Sequence, residues 1–188
     1  MTRRSIVELL AQADLTIEDN ITGAITPADV RNMIKDFLDT ISPAYGAIGK
    51  NVAQSIALSA TPAVITTFQT NAAPLVSEFV SNLAAGTVAR SLLGVAGATT
   101  RFTISGTVTG PQNNDATVTV YKNGAPTPFA CSVSIPTNGD TVSFNISGLD
   151  TVSADCTYDL RAVATSNAGY TFNNVIFICE NVPRRTFI

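Results

Sequence analysis

The pattern of apolar and polar positions changes twice along the chain. In the first 50 residues apolar side chains recur at helical spacing, and from Arg101 onward they alternate with polar ones as in a β-strand. Residues 51–100 are small and apolar, and only Glu78 and Arg90 are charged there. This pattern predicts an N-terminal α-helical arm followed by a mainly β domain.

One amphipathic helix is predicted between Thr26 and Ser42. Thr26 suits the N-cap, Pro27 fits the first helical position, and Asp29 interacts favourably with the helix dipole. Ser42-Pro43 ends the helix. Six apolar residues share one face, which we call the apolar stripe: Val30, Met33, Ile34, Phe37, Leu38 and Ile41. The stripe has two explanations, packing on its own domain or docking on another subunit or protein.

The β domain is predicted from alternation and turn signals. Asn123-Gly124 is a tight-turn dipeptide within a hairpin, and Asn138-Gly139 marks the next turn. CTYDLRAVAT and NNVIFICENV predict two further strands, the second almost continuously apolar and therefore central, and PAVITTF predicts another. The stretch RFTISGTVTG places four residues on one face: Phe102, Ile104, Gly106 and Val108. Short strands at this spacing predict an antiparallel sandwich or jelly roll.

These patterns divide the chain into an arm at residues 1–50 and a β domain at residues 51–188. Because subunit interfaces are often poor in charge, the uncharged run 51–100 predicts a sheet face that packs around a symmetry axis.

Composition excludes several classes of function. The 188 residues hold no His and carry a net charge of −3, with no basic stripe, so nucleic acid is not expected as the main partner. No apolar run is long enough to span a membrane, and the N-terminus is not typical of a secretory signal peptide. We therefore expect synthesis in a reducing cytoplasm and no membrane partner.

Candidate catalytic residues are few. Without His, Ser-His and Cys-His nucleophile systems are unavailable. Asp150, Asp155 and Asp159 lie near one turn, where they are either a carboxylate pair for glycoside hydrolysis or solvated turn and strand-edge residues. The solvated alternative is favoured, so neither an enzyme nor a cofactor is expected.

Metal and thiol chemistry also has little support. Asn113, Asn114 and Asp115 form either a Ca²⁺ site or an ordinary turn, and EF-hand spacing is absent. The three cysteines have no zinc-site spacing, which favours buried free thiols. A Cys131–Cys156 or Cys156–Cys179 disulfide remains the alternative.

Several stretches together resemble the TNF/C1q-like jelly roll of tailed-bacteriophage structural proteins. They are TPAVITTFQT, LAAGTVARS, RFTISGTVTG, TVTVYKNGAP, VSFNISGLDTVSADCTYDLRAVAT and VIFICENV. The segment DNITGAITPADVRNMIKDFLDT is similar to the one that precedes such domains in phage fibre and head-decoration proteins. SADC, from Ser153 to Cys156, stands where family members often have an aGD turn, so that turn is expected to differ.

The resemblance implies a homotrimer and a place in the virion after synthesis in the host cytoplasm. The leading hypothesis is a capsid decoration or cement protein, anchored to the major capsid protein through the apolar stripe. The alternative is a short tail fibre or tail-tip protein, with tail proteins or a host surface receptor as partner. A carbohydrate-active enzyme is a third hypothesis.

Two further observations bear on these hypotheses. The predicted tip loops GPQNND and SNAGY offer only Tyr170 as an aromatic, and no long heptad or triple-helical repeat follows Gly49, which favours decoration over receptor binding. The C-terminal ENVPRRTFI is either a frayed tail or a clip on a neighbouring subunit.

Overall fold

The computed structural model of the chain describes residues 29–30, 44–72, 78–92 and 97–182. Asp29 and Val30 are helical, and the other regular secondary structure in these ranges is β. The strands are β1 Tyr45–Lys50, β2 Gln54–Leu58, β3 Ala63–Val64, β4 Thr70–Ala72, β5 Phe79–Asn82, β6 Thr87–Arg90, β7 Ala98–Thr109, β8 Asn114–Lys122, β9 Ala125–Ile135, β10 Thr141–Val152, β11 Cys156–Ala164 and β12 Ala168–Val182.

The strands form two antiparallel sheets. The first has the order β10-β7-β12-β1-β4, and β2 extends the β1 position by pairing with the early part of β12. The second has the order β5-β6-β11-β8-β9, with β3 beside β11. From β2 onward the chain passes repeatedly from one sheet to the other and wraps around a shared core, which makes the fold a jelly roll. The predicted mainly β sandwich is confirmed.

The core lies between the inner faces of the two sheets. Its aromatic rings pack closely: the Phe102 and Tyr158 centroids are 4.9 Å apart, edge to face, across the gap between the sheets, and those of Phe144 and Phe172 within the first sheet are 6.3 Å apart. The alternation predicted from Arg101 onward is confirmed, since Phe102, Ile104 and Val108 are buried. Such edge-to-face pairs add to the stabilisation that burial of the rings provides.

A β-bulge lets both halves of β12 contribute to the core. The pairing of β12 with β7 shifts between Asn173 and Ile176, and Asn174 has a φ of 50°. Because the bulge adds one residue, the inward positions change from even to odd numbers. The inward residues are Tyr170 and Phe172 before the bulge and Val175, Phe177 and Cys179 after it. As predicted, β12 is central, lying between β7 on one side and β1 and β2 on the other.

The predicted turns are present. Asn123 and Gly124 have φ values of 51° and 80° and join β8 to β9, and Gly139 has a φ of 81° between β9 and β10. Left-handed backbone of this kind is typical of Asn-Gly turns in hairpins.

Other sequence predictions need correction. PAVITTF forms a strand only at Ala63–Val64, because the next segment is held by side chains: Lys50 Nζ donates to the carbonyls of Thr66 and Thr67 at 3.0 and 2.9 Å. Residues 45–50, which the sequence division assigned to the arm, form strand β1 of the first sheet. The described parts of residues 51–100 are spread over both sheets, so this region is not one sheet face.

Candidate subunit interface

The outer face of the first sheet differs from the rest of the surface. Cross-strand pairing arranges its side chains in rows that run through β1, β12, β7 and β10. The lowest row is Tyr45, Glu180, Arg101 and Leu149; the next is Ala47, Ile178, Thr103 and Ser147; the third is Gly49, Ile176, Ser105 and Asn145. We call these three rows the first-sheet face. It has an apolar half on β1 and β12 and a hydroxyl-rich half on β7 and β10.

The apolar half exposes large side chains to solvent. Ile176 is 48% exposed and Tyr45 is 36% exposed, while Ile178 is half-buried; Leu149, on β10 in the other half, is 56% exposed. A strand that is apolar on both faces is typical of a sheet covered on both sides. Among the described residues, β12 is covered on its inner face only, and its outer side chains face away from the core.

Within the described residues, the first-sheet face carries two charged side chains, and they form a pair. Arg101 lies directly opposite Glu180 in register, with Nη1 3.8 Å from Oε1. Their side chains are 53% and 31% exposed. The face therefore presents no net charge.

The outer face of the second sheet has a different chemistry. Arg161 donates to Asp159 through Nε at 2.7 Å and Nη2 at 3.1 Å, and its guanidinium lies 4.4 Å from the Tyr121 ring centroid. The hydrogen bonds with Asp159 raise the pKa of Arg161. Asp159 is buried, so its predicted place as a solvated strand-edge residue is wrong. The carboxylate is satisfied by a residue two positions further along the same strand.

Asp150 and Asp155 are also engaged separately. Asp150 Oδ2 accepts from the Tyr158 hydroxyl at 2.7 Å and lies 2.8 Å from Lys122 Nζ. Asp155 Oδ1 accepts from the backbone N–H of Leu92 at 2.7 Å. Because each carboxylate binds its own structural partners, these contacts do not form the acid and base pair that glycoside hydrolysis requires.

A buried polar network crosses the sandwich at the end where β12 finishes. Arg90 of the second sheet donates to Thr100 and, at 2.7 Å, to Asn181 Oδ1 of the first sheet. Tyr158 donates to Asp150 and lies 3.3 Å from the Thr100 hydroxyl. Burial lowers the pKa of Arg90, and the nearby Glu78 opposes this effect. The network joins the two sheets and holds the end of β12.

The first and last residues of the described β domain lie at this same end of the sandwich, which we call the base. The backbone N–H of Asn181 donates to the carbonyl of Ala44 at 2.7 Å. Ala44 and Asn181, close to the first and last residues of the described β domain, therefore lie side by side. The opposite end, which we call the tip, holds the turns around Gly110, Gly139 and residues 165–167.

The apolar stripe lies almost wholly outside the described residues. Val30 is helical and exposed. Met33, Ile34, Phe37, Leu38 and Ile41 are outside the described ranges, as are Thr26, Pro27, Ser42 and residues 183–188. The anchoring role of the stripe stays a prediction.

The tip does not display the aromatic residue expected there. Tyr170 is buried, and a Cβ on Gly110 would lie 2.5 Å from its ring. A glycine is needed at position 110 because the ring occupies that space. Among the described residues, the exposed large apolar side chains lie elsewhere: Val30, Tyr45, Val52, Val80, Leu149 and Ile176.

The residues of the candidate Ca²⁺ and thiol sites are described in full. Asn114 Nδ2 donates to the Gln112 carbonyl at 2.9 Å, and Asp115 accepts from Ser134. No group of three or more His, Cys, Asp and Glu residues in the described ranges is placed to hold a metal ion. All three cysteines are free thiols: Cys156 and Cys179 are buried and Cys131 is half-buried. In the same ranges, no helix is long and apolar enough to cross a membrane.

Comparison with known proteins bears on the fold alone. No protein-family model matches the chain, and no curated protein matches it. Among solved structures, the globular domain of zebrafish complement 1qA protein matches with 11% identity and a TM-score of 0.44. The match covers 76% of this chain and 99% of that chain. The jelly-roll assignment rests on the strand order described above.

The first-sheet face was not predicted from sequence. Its polar pair joins residues 101 and 180, which only the register of β7 and β12 brings together. One signal was present: the continuous apolar run of NNVIFICENV marks a strand with apolar residues on both faces.

Proposed function

We propose that the chain is a trimeric structural protein of a bacteriophage virion that decorates the capsid and attaches through the residues before Ala44. The observation that carries the proposal is the first-sheet face, which is apolar on the central strand and has no net charge. The resemblance of the sequence to phage jelly-roll proteins gives the biological setting. The major capsid protein is the proposed partner.

The chemistry of the first-sheet face supports trimer formation. A charged or strongly polar partner would leave Ile176 and Ile178 without apolar contacts, whereas a second copy of the same domain offers apolar and hydroxyl groups. Burying apolar surface contributes about 25 cal/mol per Å². Three copies packed around an axis would cover the outer face of β12 in each.

The position of Ala44 supports attachment through the base. Ala44 lies at the base, where its carbonyl accepts a hydrogen bond from the backbone N–H of Asn181, and the proposed arm precedes it in the sequence. An arm at this end leaves the body and the tip turns directed away from the particle. A decoration protein needs only such an attachment segment and a globular domain.

The tip supports decoration over receptor binding. Receptor-binding loops are commonly rich in exposed aromatic residues. Tyr170, the aromatic residue predicted for the tip, is buried. The tail-fibre alternative would be favoured by a small number of copies per particle, and the capsid role by hundreds of copies.

The trimer is tested by light scattering on the purified protein. We expect a mass near three times that of the 19.6 kDa chain at micromolar concentration. A clean monomer under these conditions would show that the trimer is wrong.

The anchor is tested by replacing Phe37 with Asp, which places a carboxylate in the apolar stripe. The variant should remain a folded trimer and fail to bind particles that lack the native protein. Asn32→Asp is the matched control, because position 32 lies on the polar side of the predicted helix, and it should bind normally. Loss of trimeric mass in Phe37→Asp would assign the helix to the trimer core, and full occupancy on particles would refute the anchor.

A further inference from the structure

The Arg101–Glu180 ion pair is notable for its position on the otherwise uncharged first-sheet face, not for its contribution to stability. The two residues face one another across β7 and β12 with Nη1 and Oε1 3.8 Å apart, and both side chains are substantially exposed. An exposed pair at this distance contributes little to the stability of a single chain. Its neighbours along the lowest row are Tyr45 and Leu149, so the charges lie in otherwise apolar surroundings.

Both groups retain capacity for further hydrogen bonds. A guanidinium has five N–H donors and a carboxylate has two acceptor oxygens, and one contact at 3.8 Å uses little of either. When a second molecule covers the first-sheet face, the two charges lose water. Charges removed from water require additional partners, because an incompletely satisfied buried pair is destabilising.

A threefold arrangement supplies these partners without a new residue type. A head-to-tail contact that closes after three copies repeats the same juxtaposition three times. Each copy brings one positive and one negative group to the lowest row, so the three pairs can alternate in sign around the axis. The summed charge of the six groups is zero, which suits an otherwise uncharged face.

We propose that the three Arg101–Glu180 pairs form a closed ring of alternating charge at the base end of the trimer. In this ring each Arg101 binds its own Glu180 and the partner subunit's Glu180. The inference rests on the trimer proposed above, and it adds the contact that aligns the three copies with one another. The other rows contain small hydroxyl, amide and apolar side chains, which tolerate sliding or reversal of one copy against the next. The ring permits only the arrangement with all three bases at one end, which places all three arms on the same side.

Charge reversal in separate chains tests the ring. Arg101→Glu alone places six carboxylates around the axis, and Glu180→Arg alone places six guanidinium groups there. Each variant should raise the concentration at which the trimer half-dissociates by about 100-fold or more, since like charges at an interface cost several kcal/mol. The double variant Arg101→Glu/Glu180→Arg should restore assembly. Mixing the two single variants should produce 2:1 mixed trimers in preference to trimers of either variant alone, because two of the three contacts between chains then join opposite charges.

The controls separate failure of the ring from failure of the trimer. Asp140→Arg reverses a charge near the tip and should leave the trimer intact, and circular dichroism melting should show that every variant is folded. A monomeric wild-type protein would overturn the trimer, and with it the ring. A trimeric wild type with unaffected single variants would overturn the ring alone. The ring would also be overturned by single variants that dissociate and do not reassemble on mixing, or by single variants that unfold. In either case the pair would act within one chain.

Discussion

Replacing Ile176 with Asp should prevent trimer formation while leaving the single chain folded. Ile176 lies on the outer face of β12, in the third row of the first-sheet face, where its neighbours across the strands are Gly49 and Ser105. It contributes nothing to the core between the sheets. A carboxylate at this position would remain solvated in the monomer and would be buried only on association.

The magnitude follows from the exposed fraction of the side chain. Full burial of an Ile contributes about 1.5–3 kcal/mol, and 48% of Ile176 is still exposed in the single chain, so burying the rest on association contributes about 0.7–1.4 kcal/mol per copy. Burial of the new carboxylate adds a penalty of several kcal/mol per copy, after relaxation. The trimer contains three such sites, and their sum is enough to abolish assembly at micromolar concentration. The cost to the fold is limited to the weak strand propensity of Asp, about 1 kcal/mol.

Val80→Asp is the matched control. Val80 is 61% exposed on β5, at the edge of the second sheet, and lies outside the first-sheet face. Multi-angle light scattering over a dilution series should give a monomer for Ile176→Asp and a trimer for Val80→Asp, with cooperative melting in both. Equal behaviour of the two variants, whether trimeric or monomeric, would refute the assignment of the interface to the first-sheet face.

Four further predictions concern the fold. Arg90→Met should destabilise the domain by about 3–5 kcal/mol in chemical denaturation, because it leaves the groups around a buried charge without their partner; an unchanged midpoint would contradict a structural role for the network. Gly148→Ala should cost about 1–3 kcal/mol, since its Cβ would lie 2.3 Å from the Phe129 ring, whereas a stable variant would show that the ring has room to move. Cys131 should be the first of the three thiols to react with a disulfide reagent in the folded protein, and early labelling of a buried thiol would contradict the structure. Burial raises the pKa of Cys179, so its contribution to stability is full below about pH 8.5, where the unfolded thiol is still protonated, and is lost above it. The melting temperature should therefore fall between pH 8 and pH 10, and Cys179→Ala should reduce that fall.

The sequence predicts the local elements of the β domain well. The Asn123-Gly124 turn, the buried row that begins at Phe102 and the central position of the last strand all follow from short-range signals. Each depends on a residue pair or an alternation within about ten positions, which the backbone enforces directly.

Features that depend on distant contacts were missed. The bulge at Asn173 and Asn174 reverses the alternation of β12, and the only local sign is a pair of Asn residues between two apolar runs. Thr66 and Thr67 have strand-forming residue types, but hydrogen bonds from Lys50 remove their carbonyls from the sheet. The first-sheet face depends on strand register, which one sequence without a known fold does not specify.

The adjacency of Ala44 and Asn181 makes the chain nearly circular. Its described β domain begins and ends at neighbouring positions, so a short peptide could join these points and new ends could be opened elsewhere. The turn at Gly139 is suited to this, because nothing lies within 4 Å of a Cβ built there and exposed turn tips tolerate insertion and permutation. A foreign peptide placed in this turn would project from the tip, at the opposite end from both natural connections, so the domain is a natural scaffold for display.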